Sequence, residues 1–280
     1  MDIGFIGAGK VGVSLGRYLK ENHVHLTGYY SQNPVSSKEA AAYTRTTSFS
    51  TVEDVVGESD LLFLTVPDGQ VGKVWEQMKD LPVAGKIICH CSGLLSSAVF
   101  SEIAPRGAFG YSIHPLLAVS DKFQSYQTFY HAVFTVEGPE EKRNSVSELL
   151  RRCGNRIVYL DACQKAKYHA AAVMASNLVA ALYDEAQKLL IECGFSRELA
   201  AESVNPLFLG NARAVAEKGA VAALTGPVER QDTETVQKHL EALDGNDREI
   251  YRLLSLQAVE IAEQKHPEKD YKELKGRFMQ

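Results

Sequence analysis

The opening dozen residues limit what this chain can fold into more than any other segment. The apolar run Ile3-Gly4-Phe5-Ile6 leads directly into Gly7-Ala8-Gly9-Lys10-Val11-Gly12. Glycines at that spacing, behind a strand and ahead of a helix, permit a tight turn, close approach of an outside group to the backbone, and close packing of helix on strand. Val11, Leu15 and Leu19 recur every fourth residue and predict the apolar face of that helix, with Gly12 and Gly16 thinning an adjacent row.

The first half of the chain repeats this alternation of short β-branched runs with amphipathic segments, which predicts a parallel sheet with crossover helices. Strands are expected near 2–6, 25–30, 45–47, 61–65, 86–90 and 107–112, with 131–136 and 156–160 extending the sheet around a helix at 139–152. From Asp161 onward helical periodicity takes over. The expected class is α/β: a doubly wound Rossmann sheet over 1–160, then an all-helical domain over 161–280. Asp161 and Gln164 have capping-box spacing for a helix that meets no Gly or Pro before Gly194. Its stretch from Ala170 to Leu182 is apolar on nearly every side, which predicts burial against a second copy and hence a homodimer through the carboxyl-terminal helices. Further helices are expected at 196–217, bent or broken at Pro206, at 233–243, and at 247–265, where Asn246 and Glu249 have capping-box spacing.

The net charge of −5 offers no basic field for nucleic acid. No stretch reaches the roughly 20 apolar residues that span a bilayer, and no signal peptide is recognised at the start, so a cytoplasmic protein without a membrane partner is expected. Cys89 and Cys91 flank His90 at strand spacing; without a second ligand pair they read as buried thiols, and no metal is expected.

The glycine loop implies a dinucleotide whose pyrophosphate rests on the helix N-terminus. About 20 residues further on, where a carboxylate would bond the ribose of NAD, stands Ser31-Gln32-Asn33. These neutral donors suit a 2′-phosphate, so NADP is expected over NAD, with Lys38 the nearest cation in sequence. Val66-Pro67-Asp68 after the fourth strand borders the same crevice; Asp68 reads equally as a helix cap.

Two polar segments follow later strands: His90-Cys91-Ser92-Gly93 and Ser112-Ile113-His114-Pro115-Leu116. Ser92 is a candidate to orient a substrate oxygen. His114 is a candidate to move the proton that accompanies hydride transfer, or else a buried, hydrogen-bonded loop histidine. On the long helix Lys165, His169, Val173 and Asn177 follow at i, i+4, so Lys165, His169 and Asn177 share a stripe; these polar groups serve a site or bond to neighbouring helices. Thr225-Gly226-Pro227 closes over that site or simply turns the chain.

Taken together, Cys91-Ser92-Gly93, Ser112-Ile113-His114-Pro115-Leu116, Tyr168-His169-Ala170-Ala171-Ala172 with Asn177, and Leu224-Thr225-Gly226-Pro227 resemble the Rossmann-like proteins that carry the domain of unknown function DUF2520. More broadly the chain resembles the superfamily of pyrroline-5-carboxylate reductase, prephenate dehydrogenase and 6-phosphogluconate dehydrogenase-like enzymes. The resemblance implies an NADP-dependent oxidoreductase acting on a small carbonyl, imine or hydroxyl substrate, and supports site roles for His114, His169 and Asn177. A noncatalytic dinucleotide-binding regulator and an F420-dependent NADP oxidoreductase are the alternatives. The arginine of the Ser-Arg pattern common among NADP users is absent after Ser31.

Overall fold

In the computed structural model, which describes residues 1–279, a single sheet is followed by helices alone. Its strands are β1 (Ile3–Ile6), β2 (Leu26–Tyr30), β3 (Thr47–Ser48), β4 (Leu61–Leu64), β5 (Ile87–His90), β6 (Phe109–Leu116), β7 (Val133–Glu137) and β8 (Arg156–Tyr159), in the order β3-β2-β1-β4-β5-β6-β7-β8. β1 to β6 are parallel, β7 runs against β6, and β8 follows β7. The fold is α/β, and strand order reverses between β1 and β4, where such sheets open a ligand crevice.

Helices α1 (Lys10–Glu21), α2 (Pro34–Thr44), α3 (Val52–Gly57), α4 (Asp68–Met78), α5 (Arg143–Arg152) and α6 (Lys165–Met174) accompany the sheet. Two compact units divide between Ser176 and Asn177. The last strand ends at Tyr159, and α6, expected in the helical domain from 161, belongs with the sheet unit.

The uninterrupted apolar runs of β1, β4 and β5 reflect burial on both faces. Alternation splits them into two layers. Ile3, Phe5, Leu61, Phe63, Ile87 and Cys89 join Leu15 and Leu19 of α1 on one face, where Phe5 stacks between Tyr29 and Phe63. Ile6, Leu62, Leu64 and Ile88 meet Val71, Trp75 and Met78 of α4 on the other. The two thiols expected on one face do pack there, Cys89 fully buried and Cys91 partly.

Two expectations for this unit need correction. The segment 112–116 is not a loop after the sixth strand but the second half of β6, because β7 pairs against it from Ser112↔Glu137 to Leu116↔Val133. The long helix is also not continuous. It begins with a short 3-10 turn at Ala162–Gln164, which Asp161 and Gln164 cap as expected, and α6 stops at Met174. The Ser176 hydroxyl donates to the Ala172 carbonyl and its amide to Val173, which tightens the last turn and breaks the run.

The second unit comprises α7 (Asn177–Glu192), α8 (Arg197–Lys218), α9 (Ala220–Ala223), α10 (Thr233–Ala242), α11 (Gly245–Lys265) and α12 (Lys272–Phe278). α8 runs through Pro206 without ending there. The Asn246–Glu249 box does not form, since α11 starts earlier, behind Asp244. Val236, Leu240, Val259, Ala262, Leu274 and Phe278 make the core of this unit, to which α10, α11 and α12 contribute. α7 buries no residue, and the apolar stretch predicted to be enclosed leaves Met174, Leu178 and Leu182 exposed in the single chain. Gly226 has φ +104° and accepts from Arg230, so Thr225-Gly226-Pro227 opens a turn. Among the described residues no helix is long and apolar enough to cross a membrane.

Candidate functional site

Register places the functional edge. Ile6, Leu64, His90 and Ser112 lie side by side across β1, β4, β5 and β6, so the segments that follow them emerge at the same carboxyl edge. At its reversal point the edge opens a cleft of about 400 Å³. Gly7, Ala8 and Gly9 line one end of it, with Ser31, Gln32 and Asn33 beyond β2 and Val66 and Pro67 beyond β4. Lys10, Val11, Gly12 and Asp68 do not line it.

The glycines divide their work as the motif requires. Gly7 has φ +108°, and a Cβ at Gly12 would stand 2.3 Å from Thr65 Oγ1 and 2.7 Å from the Gly7 carbonyl. Gly12 therefore sets the distance between α1 and the end of β4, while Lys10 and Val11 start the helix. A Cβ at Gly9 would meet nothing closer than the Thr65 carbonyl at 4.0 Å, so that face of the loop is left open. No side chain caps α1 and no acid lies in its first turn, which leaves its amides and positive potential for an anion. A dinucleotide fits this cradle.

Sequence reasoning missed Tyr30, Ser36, Thr65, Gln70, Lys73 and Gln77, all of which line the cleft. Gln70, Lys73 and Gln77 come from one face of α4, and only their spacing could have marked them. The cation at the cleft is Lys73; Lys38 does not line it. Asn33 Oδ1 accepts from the Val35 amide and caps α2, so its amide nitrogen remains for the cleft.

A second cluster forms where β5 and β6 end. The Ser92 hydroxyl donates to Asp68 Oδ2 at 2.6 Å and accepts from the Leu94 and Leu95 amides, while the Ser92 carbonyl accepts from Lys165 Nζ at 2.9 Å. Lys165, only 2% exposed, also donates to Ser112 Oγ. Burial brings its pKa down to about 8, against the opposing pull of Glu137 and Asp68. His90, which the sequence offered only as part of a motif, accepts from the Ser92 amide through Nδ1 and bonds the Ser96 carbonyl through Nε2. Buried, it is held at about 4 and serves to fix the 92–96 turn.

His114 shares a 2.7 Å hydrogen bond between Nδ1 and the Tyr168 hydroxyl, and its ring meets that of His169 edge-on at 6.4 Å. Burial, then the charge of Lys165, holds His114 at about 4; burial pushes the Tyr168 phenol up. His169 Nδ1 is buried without a hydrogen-bond partner. Between them lies Gly93: a Cβ there would stand 2.6 Å from His169 Nδ1 and 3.1 Å from His114 Nε2. The structure thus brings Ser92, His114, Lys165 and His169 together, with Tyr168, Asp68 and Gly93 as the members that sequence reasoning did not place there. Asn177 is not on a continuous stripe with Lys165 and His169, because the helix breaks before it; it is the first residue of α7, in the second unit. Among the described residues no group of three His, Cys, Asp or Glu side chains could hold a metal ion.

No curated protein matches the chain in sequence. Residues 1–115 match the family described as a Rossmann-like domain, and residues 132–258 match the domain of unknown function DUF2520. Among solved structures, protein TM1727 of Thermotoga maritima is similar at 23% identity and a TM-score of 0.75, over 94% of this chain and 99% of that one. Pyrroline-5-carboxylate reductase of Coxiella burnetii has 16% identity and a TM-score of 0.61, over 94% and 97%. The reductive aminase of Aspergillus terreus, solved with NADPH and ethyl-5-oxohexanoate, has 18% identity and a TM-score of 0.62, over 99% and 92%. Residues 1–115 thus form a Rossmann-like domain and residues 132–258 a DUF2520 domain, on a fold similar to that of these reductases.

Proposed function

We propose that the protein is an NADP-dependent oxidoreductase acting on a small carbonyl, imine or hydroxyl compound. The observation that carries this reading is the common edge: the dinucleotide cradle and the cluster of Ser92, His114, Lys165, Tyr168 and His169 both stand at the carboxyl ends of the parallel strands. The fold it shares with a reductive aminase solved with NADPH supports it.

Gly7, Ala8 and Gly9 with the first amides of α1 would hold the pyrophosphate, and Ser31, Gln32 and Asn33 the adenosine ribose. No acid lines the cleft among the described residues, which favours NADP over NAD. The bound dinucleotide supplies or accepts a hydride at its nicotinamide ring. His114 offers its unshared Nε2 to the reacting oxygen or nitrogen, Tyr168 orients His114, and His169 packs beside it with its Nδ1 enclosed against Gly93. Lys165 holds positive charge behind them at neutral pH and loses it as pH rises through about 8. Ser92 is a positioning residue in this scheme, since its hydroxyl is already committed to Asp68 and two amides.

The protein acts as a homodimer in this proposal. α7 has no buried residue, and Leu178, Leu182, Leu207 and Leu209 stand exposed on α7 and α8, a surface that a second copy would cover.

Titration with NADPH, followed by its oxidation in the presence of ketoacids, imines and cyclohexadienyl acids, tests the reading. Turnover that His114→Ala abolishes while NADPH still binds supports it. Tight binding without turnover of any compound, with ligand binding unchanged in His114→Ala, overturns it in favour of a noncatalytic binding protein.

A further inference from the structure

We propose that Lys73 of α4 receives the adenosine 2′-phosphate, so that preference for NADP is set by α4 rather than by the turn after β2. The inference rests on the cleft being the dinucleotide site.

A 2′-phosphate brings close to two negative charges at neutral pH. Neutral donors satisfy its oxygens but leave that charge unbalanced, and hydrogen bonds from a cation are about twice as strong. The turn after β2 offers only neutral groups: Ser31, Gln32, and the Asn33 amide that capping leaves over. The compensating charge has to come from elsewhere in the cleft.

Among the described residues that line it, Lys73 is the one charged side chain. Gln70, Lys73 and Gln77 recur at steps of three and four, so α4 presents them on one face, and the same cleft is lined by Ser31, Gln32, Asn33 and Ser36. Lys73 makes no ion pair among the described residues. Lys79, just past the end of the same helix, is bound to Glu76 at 2.6 Å and to Glu102 at 3.8 Å. The unpaired lysine is the one facing a cleft that lacks any acid. Its four-carbon stem is exposed and free to bring the ammonium to a phosphate.

Fluorescence titration of NADPH and NADH into wild-type protein, Lys73→Met, Lys73→Arg and Lys38→Met decides the matter. Adenosine 2′,5′-bisphosphate and 5′-AMP, which differ only in the 2′-phosphate, serve as competitors. Lys73→Met is expected to weaken NADPH binding about tenfold or more, with NADH within about twofold and the advantage of the bisphosphate competitor lost. Lys73→Arg should restore most of the preference, and Lys38→Met should leave it in place. NADH binding by the same variant shows that it is folded. Equal weakening of both nucleotides would put Lys73 on the shared pyrophosphate and overturn the proposal, as would unchanged NADPH binding in Lys73→Met. Wild-type protein that binds both forms equally overturns it and leaves the dinucleotide reading standing; wild-type protein that binds neither overturns both.

Discussion

Ser92 Oγ donates to Asp68 Oδ2 across 2.6 Å, joining the turn after β5 to the first residue of α4. The same oxygen accepts from the Leu94 and Leu95 amides, so one hydroxyl holds three groups in place. Ser92→Ala should strand both amides and lower stability by about 1–3 kcal/mol, the usual cost of unpaired buried donors. Asp68→Asn keeps an acceptor and should cost less. Urea unfolding of the two variants checks the order, and a reversed order would contradict it.

Burial holds His90 and His114 at about 4, below the 6.5 of a free imidazole. Between those values the unfolded chain binds more protons than the folded one, so stability falls as pH drops through this window. Each ring contributes on the order of 3 kcal/mol when the shift is fully expressed. The urea midpoint should be lower at pH 5 than at pH 7, and His114→Asn should narrow that gap.

For Lys165 the window lies on the alkaline side. With a folded value of about 8 against 10.5, its buried charge disfavours the folded state fully below pH 8, and that cost is relieved as pH rises towards 10.5. Its charge is lost over the same rise. Under the proposed mechanism, kcat/KM for reduction should decline above about pH 8, and Lys165→Met should abolish the pH-dependent step along with most of the activity.

Gly93→Ala introduces a methyl group 2.6 Å from His169 Nδ1 and 3.1 Å from His114 Nε2. Both rings must shift. Turnover should fall at least about tenfold, whereas NADPH affinity should stay within about twofold, because the cradle at Gly7 to Gly12 is untouched. Parallel binding and rate measurements separate the two effects.

Leu178→Glu and Leu182→Glu place charges on the exposed apolar face of α7. If that face joins two copies, sedimentation should show wild-type dimers and variant monomers at micromolar concentration.

The sheet was legible because its signal is local. Runs such as Ile3–Ile6 and Leu61–Leu64 are buried on both faces whatever their neighbours do, and they could be read directly. The misplacement of 112–116 arose from pairing at a distance: His114 and Pro115 look like a loop until β7 is laid against them. The break before Asn177 carries no Gly or Pro; it shows in the backbone, where the Ser176 amide bonds the Val173 carbonyl instead of Ala172, and sequence alone does not reveal it. Ser92 and His114 were recognisable by residue type, but the partners that define their roles, Asp68 and Tyr168, lie 24 and 54 residues away. Lys73 had no such mark, since an unpaired lysine on an amphipathic helix looks the same in sequence whether it faces water or a cleft.

The reversal of β7 and β8 gives the reaction cluster its vertical order. β8 runs parallel to β7, against β6, and ends at Tyr159 opposite Val136, which itself faces Ile113. α6 then starts low and climbs alongside β6: Lys165 bonds Ser112 and, one turn on, Tyr168 bonds His114. The cluster is therefore stratified, with its cation at the floor and its half-buried rings above. A small molecule could meet the imidazoles without displacing the lysine's own hydrogen bonds, and the field it would feel is set by a charge that it never touches.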